Sequence, residues 1–331
     1  MIVFVLISLM GCIKLVDNMV LSKVVPTGLG SSDLGKACAL GESLSHPISS
    51  IKKTERSMVI AETTAGLCAE LQVWEARLKE ARALKNLQGA SRVAEVKDAR
   101  ILAQRYHKMA ATRYYRAFLY LESEYGDVGG VCPELKEEDE VVYVVGLVAG
   151  LLSVLNNKKG GGQVDISESL LAEIARGTKC VDNQKWWNTP HAIEGAVWAS
   201  VPGSGPEDVD PWEYMKDSAE VGADTGVRVG WGFHNLIAAN AGKTDILKMG
   251  IKAHAESMEI KSSHPNFALL DEYAYQVSLH ESDLIWVQTK GYRTTVFGAM
   301  PAPPKIKVQE DDPFALPLPN ESSGQVEPKQ Q

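Results

Sequence analysis

ARILAQRYHKMAATRYYRAFLYL, residues 99–121, sets the fold class. Within it Ala99, Ala103, Tyr106, Ala110, Tyr114, Ala117 and Leu121 recur at steps of three and four, which places small and aromatic side chains on one stripe of a long α-helix. A matching stripe precedes it: Leu67, Leu71, Trp74, Leu78 and Ala81. The turn chemistry at 87–91, with Gly89, predicts that the two helices fold back as an antiparallel hairpin. Alanines along the stripe let the axes approach, and the rings fill the space beside them.

Working outward, Val141 to Leu155 runs fifteen residues without a charge. That is long for a strand and short for a membrane span, so it reads as a buried helix, with its valines leaving a strand open. Asp165 with Glu168 reads as a capping box and Gly177 as the end of the helix it opens. Thr189-Pro190 starts another helix, and Asp210-Pro211-Trp212-Glu213 is a second capping box with proline at the first helical position. A helix from about Gly226 to Gly242 follows, then starts at Thr244, Pro265 and Glu281. Helices paired by short turns over residues 33–299 predict an all-α chain, an α-solenoid of antiparallel hairpins whose units bury their faces against neighbours.

The N-terminus adds an address. Leu9-Met10-Gly11-Cys12 follows the apolar run Ile2 to Leu9 and resembles a bacterial lipobox, in which a small residue precedes the cut and the cysteine thiol carries the lipid. The resemblance implies a signal peptide over 1–12 and a mature protein starting at acylated Cys12. No basic residue precedes Lys14, which places the expected translation start upstream of Met1. Residues 13–32, with Gly, Ser and Pro from Ser22 to Ser32, read as a tether, and the proline-containing segment 300–331 reads as a disordered tail. Four cysteines remain. Cys38 with Cys68 and Cys132 with Cys180 is the favoured pairing, because sequence neighbours close the smaller loops; buried free thiols are the alternative.

A net charge of −8 argues against nucleic acid as the main partner. Locally, Arg77, Lys79, Arg82, Lys85, Arg92, Lys97, Arg100, Arg105, Lys108, Arg113 and Arg116 outnumber the acids; such runs are usually solvated faces, and an acidic partner or anionic headgroup is the functional alternative. The seven histidines show no HExxH or paired spacing, Gly160 to Gly162 lacks the Lys-Ser/Thr of a phosphate loop, and no GxSxG or dinucleotide fingerprint occurs. The expectation is therefore a non-enzymatic protein with no catalytic residue, metal or cofactor. Trp186, Trp187, Trp198, Trp212 and Trp231 crowd the stretch 185–231. Indoles offer large apolar area with one donor, which suits a groove for an apolar ligand or a protein anchor; packing at the joints between short helices is the alternative. Trp186 and Trp187 cannot both point inward from one helix face, so one is expected to be accessible.

The lipobox, the tether and the paired helices together resemble the T component of TPR-associated TRAP transporters, a family of helical-repeat lipoproteins. The stretch Pro211-Trp212-Glu213-Tyr214-Met215-Lys216-Asp217-Ser218-Ala219-Glu220 through Gly226, then Trp231 and Ala238-Ala239-Asn240, is similar in layout to its degenerate repeats. The likeness extends over Leu34 to Gly291, although the eight-position TPR pattern cannot be laid down cleanly. It implies a TPR-like periplasmic protein on the bacterial outer membrane, held to the membrane by its lipid alone. It also implies a homo-oligomer that docks a solute-binding protein, as an accessory to solute uptake. A scaffold subunit of a large envelope assembly is the alternative.

Overall fold

The computed structural model describes residues 16–86, 90–167 and 169–302, and every element among them is helical. A helical stretch from residue 16 passes through a π-helical turn at Val20–Val24 into α1 (Val25–Leu29). Then follow α2 (Leu34–Ser49), α3 (Glu55–Lys85), α4 (Ala90–Tyr125), α5 (Glu137–Lys159) and α6 (Leu170–Gly177), which ends in a 3₁₀ turn at Thr178–Cys180. The rest is α7 (Thr189–Ser200), α8 (Pro211–Thr225), α9 (Val229–Asn240), α10 (Thr244–Ile260) and α11 (Ala268–Lys290). Among the described residues no helix is long and apolar enough to cross a membrane. The lipobox with Cys12, the turn at Gly89, the capping Glu168 and the tail beyond Ala302 lie outside the described residues.

The expected hairpin forms from α3 and α4. Glu62 meets Arg116, Glu70 meets Tyr114 and Glu80 meets Arg100, which fixes an antiparallel register. The predicted stripe is its core: Ala99, Ala103, Ala110, Tyr114, Ala117 and Leu121 are buried. At Gly66 the Tyr114 ring lies against the backbone, where an added Cβ would fall 2.6 Å from the ring. The uncharged run forms α5, whose first turn holds Glu137, Glu138, Asp139 and Glu140 and whose last turn holds Lys158 and Lys159; both ends complement the helix dipole. Both cysteine pairs are disulfides, Cys38–Cys68 joining α2 to α3 and Cys132–Cys180 closing the base of the α5/α6 pair. At α8 the expected cap is present, Asp210 accepting the Trp212 backbone N–H at 2.9 Å.

Three expectations change. First, α11 returns to α3, burying Leu78 and Ala81 against Leu284 and Val287, with Arg77 paired to Glu281 at 2.8 Å. A stack of nearest neighbours makes no such contact. Second, Glu281 starts no helix, because α11 runs unbroken through it and the Arg77 guanidinium matches its buried charge. Third, residues 16–29 are not an extended tether. Val20, Leu21 and Val25 are buried in the main core, and Pro26, which has no N–H to give to the preceding turn, follows the π-helical turn at Val20–Val24.

A buried ion pair fixes the C-terminal half. Arg228, ahead of α9, donates to Asp271 of α11 at 2.8 Å and to Ser257 Oγ of α10 at 2.9 Å, and its guanidinium also reaches the carbonyls of Ser257 and Lys261. With Nε, Nη1 and Nη2 all engaged, three helices are locked to one charge pair.

Candidate functional site

Helical stripes from five elements face one gap and leave a cavity of ≈ 160 Å³. From α5 come Val141, Val144, Val145, Val148 and Leu152; from α3, Ser57, Ile60, Ala61, Thr64 and Leu67; from α2, Leu34, Ala37, Gly41, Leu44 and Ile48. Each set recurs at three and four residues, the spacing of one helix face. Val20, Val24, Val25 and Gly28 form the wall on the N-terminal side, and Leu269, Leu270 and Tyr273 of α11 line the opposite part. Most of these side chains are valine, alanine, glycine or threonine, too short to meet across the gap. Val141, Val145 and Val148 are accordingly half-exposed although they lie in a core helix.

Two features hold the walls. The Cys38–Cys68 disulfide staples α2 to α3 beside Ala37 and Leu67. At Gly41 the same helices approach so closely that a Cβ would sit 2.6 Å from the Ala65 backbone nitrogen. The N-terminal wall is clamped by Asp17, which accepts the Ser57 backbone N–H at 3.1 Å and pairs with Arg56 at 2.7 Å; Arg56 in turn reaches Asp139 of α5 at 3.0 Å.

The lining presents almost no free polar group. The Ser57 hydroxyl donates to Asp17, Thr63 and Thr64 donate to the carbonyls of Val59 and Ile60 in their own helix, and the hydroxyls of Tyr114 and Tyr273 donate to Glu70. Glu70 lies just behind the cavity wall, fully buried between α3, α4, α5 and α11. It receives Tyr114 at 2.8 Å and Tyr273 at 3.1 Å. Burial pushes its carboxyl above the ordinary value, against the opposing effect of these hydrogen bonds and of Asn156. The Asn156 carbonyl oxygen meets His107 Nδ1 at 2.8 Å, and burial lowers that imidazole to about 4, so the ring is neutral and Nδ1 donates.

Of the five tryptophans expected to form a groove, Trp186 and Trp187 line this cavity and the other three do not. Both come from the turn before α7, where Trp187 and Asn188 adopt positive φ of 53° and 56°, so the helix-face argument that would separate them does not apply. Trp186 is buried and donates from Nε1 to Glu140 at 2.8 Å; Trp187 is half-buried with its ring edge-on to Phe267, centroids 4.4 Å apart. Trp198 packs on Tyr214 and Trp212 beside His234, while Trp231 is buried against Ala219 and Ala223. These three fill the joints between α7, α8, α9 and α10.

Sequence reasoning missed the valine face of α5 as a lining, the α2 stripe and Glu70. The α2 stripe was visible as Leu34, Ala37, Gly41, Leu44 and Ile48 at steps of three and four. Nothing in the sequence pointed to Glu70, whose partners lie far along the chain. In the basic stretch, Arg77, Lys79, Arg92, Arg100, Arg113 and Arg116 pair with acids of the same chain, which fits a solvated ion-paired face. Among the described residues no group of three or more histidines, cysteines or acids is arranged to hold a metal ion. Comparison with protein-family models, with curated proteins and with solved structures finds no match.

Proposed function

We propose that this chain is a carrier or receptor for a small apolar ligand, held in the cavity between the N-terminal helix, α2, α3, α5 and α11. The observation that carries the reading is the cavity's chemistry: ≈ 160 Å³ walled by aliphatic side chains, with the hydroxyls of Ser57, Thr63, Thr64, Tyr114 and Tyr273 already engaged. An engineered aliphatic cavity of ~150 Å³ stays dry and takes up benzene. A lining whose polar atoms face away supports holding a ligand rather than transforming it. The two disulfides suit an oxidising, extracytoplasmic compartment. With acylated Cys12, the protein would present this cavity at the membrane surface of the periplasm, as an all-helical accessory of solute uptake that passes its ligand to or from a solute-binding protein.

The test is titration of the full chain, disulfides intact, with the apolar fluorophore cis-parinaric acid, an unbranched polyene chain. Saturable binding is expected, weakened about tenfold or more (~1.4 kcal/mol) in Gly28→Phe and Val145→Phe. Both fill the cavity: a Cβ at Gly28 meets no atom within 4 Å, and Val145 faces the same space. Thermal melts of each variant show that the fold is kept. Absence of saturable binding, or equal binding by well-folded variants, overturns the reading and leaves the scaffold role ahead.

A further inference from the structure

The shape of the cavity narrows the ligand class. Its lining on α3 runs from Ser57 to Leu67 and on α5 from Val141 to Leu152, so at ~1.5 Å of rise per residue it extends ~15 Å along the helices. Its open volume over that length is ≈ 160 Å³, small for a space so long. A space that long and that small in volume is a thread. A fused ring system concentrates its volume in width, whereas a hydrocarbon chain spreads it along the length that the lining of α3 and α5 spans.

The ends differ. At one end Tyr114 and Tyr273 line the wall and hold the buried carboxyl of Glu70 directly behind it. A ligand carboxylate or phosphate there would find no donor, since both hydroxyls are engaged, and would face a second acid. The apolar terminus of a ligand meets no such penalty at this end. An amphiphile is therefore oriented tail-first towards Tyr114 and Tyr273, with its polar head at the Ser57 and Val141 end, where Arg56 balances the Asp17 and Asp139 carboxylates.

We propose that the cavity takes one unbranched hydrocarbon chain, that of a fatty acid or of one acyl chain of a glycerophospholipid, inserted with its methyl end towards Tyr114 and Tyr273. This rests on the apolar-ligand reading and specifies it. Each methylene added within the thread contributes burial until the thread is full; chain atoms beyond it stay in water and add nothing.

The experiment displaces the linear fluorescent polyene cis-parinaric acid from the full chain, using saturated fatty acids of increasing length, phosphatidylglycerol below its aggregation limit, and a compact polycycle such as pyrene. Fatty-acid affinity should rise about fourfold per methylene and then level off. Pyrene should compete weakly. In Val148→Phe, which narrows the thread partway along α5, the levelling-off should come at a shorter chain while the melting temperature is kept. Competition by fatty acids alone assigns the chain to a free acid, and competition by phosphatidylglycerol as well assigns it to a membrane lipid. Pyrene competing as well as the longest chain, an affinity independent of length, or an unmoved plateau in Val148→Phe overturns the proposal while fluorophore binding leaves the apolar-ligand reading standing. If the fluorophore itself does not bind saturably, that reading falls first.

Discussion

Asp17 caps a helix it does not belong to: its carboxylate accepts the backbone N–H of Ser57, in the first turn of α3, at 3.1 Å. An acid at this place meets both an unsatisfied N–H and the positive end of the helix dipole, and Arg56 Nε donates to the same carboxylate at 2.8 Å. The segment that by composition reads as a tether is thereby held as one wall of the cavity.

Asp17→Ala should release that wall. Losing a helix cap costs ~1–2 kcal/mol, and the effect should concentrate on residues 16–29. Hydrogen exchange read by mass spectrometry is expected to show faster exchange over Val20 to Leu29, with α4 and α11 little changed. Equal protection in wild type and variant would mean that burial of Val20, Leu21 and Val25 holds the segment without the cap.

Each disulfide should contribute about 4 kcal/mol by closing loops in the unfolded chain, with separations of 30 residues for Cys38–Cys68 and 48 for Cys132–Cys180. Paired serine substitutions at either bond should lower the denaturant midpoint without changing the helical circular dichroism. Thiol titration of the unfolded, unreduced chain should find none of these four cysteines free. Recovery of all four as free thiols from exported protein would contradict the pairing.

Glu70→Gln separates a structural acid from one the fold merely tolerates. Burial raises the Glu70 carboxyl above its unfolded value, so its favourable contribution is complete below that value and is lost as pH rises through the folded one. The glutamine variant should therefore gain on wild type as pH rises, with the smallest difference near pH 4. Melting temperatures at pH 4.5 and 8 check this. A variant destabilised equally at both would show that the Tyr114 and Tyr273 hydroxyls require a carboxyl.

Three buried histidines and the half-buried His107 act in the opposite sense. Burial lowers His107 to about 4 and His254 to about 3, and lowers His234 and His280 as well. Groups depressed in the folded state stabilise it fully above their unfolded value, near 6.5, and lose that contribution as pH falls towards the folded one. Stability should drop between pH 6.5 and 4, and His254→Gln should flatten the lower part of that slope. An unchanged slope would place the acid sensitivity in another group.

The elements were legible where the signal is local. The α4 stripe, the uncharged α5, the Asp210 cap and the ends at Gly177 and Gly242 all follow from neighbours within a few residues, and the cysteine pairing follows from loop length. The cavity was not, because its faces on α2, α3 and α5 look individually like core stripes, and only their failure to meet makes a space. Glu70 reads as an ordinary helical acid until Tyr114, Asn156 and Tyr273 arrive from three other helices. Trp187 reads as a helix-face residue because no sequence rule puts a bulky aromatic at positive φ, and Glu281 reads as a helix start because its partner, Arg77, lies on α3.

The most direct measurement is the anomalous signal of bromine in crystals of the full chain soaked with an ω-brominated fatty acid. The account predicts one bromine site per chain inside the cavity, near Leu152, Tyr114 and Tyr273, with continuous density running from it towards Ser57 and Val141. Bromine found elsewhere, or an empty cavity after a soak in which the acid binds at another surface, would contradict it.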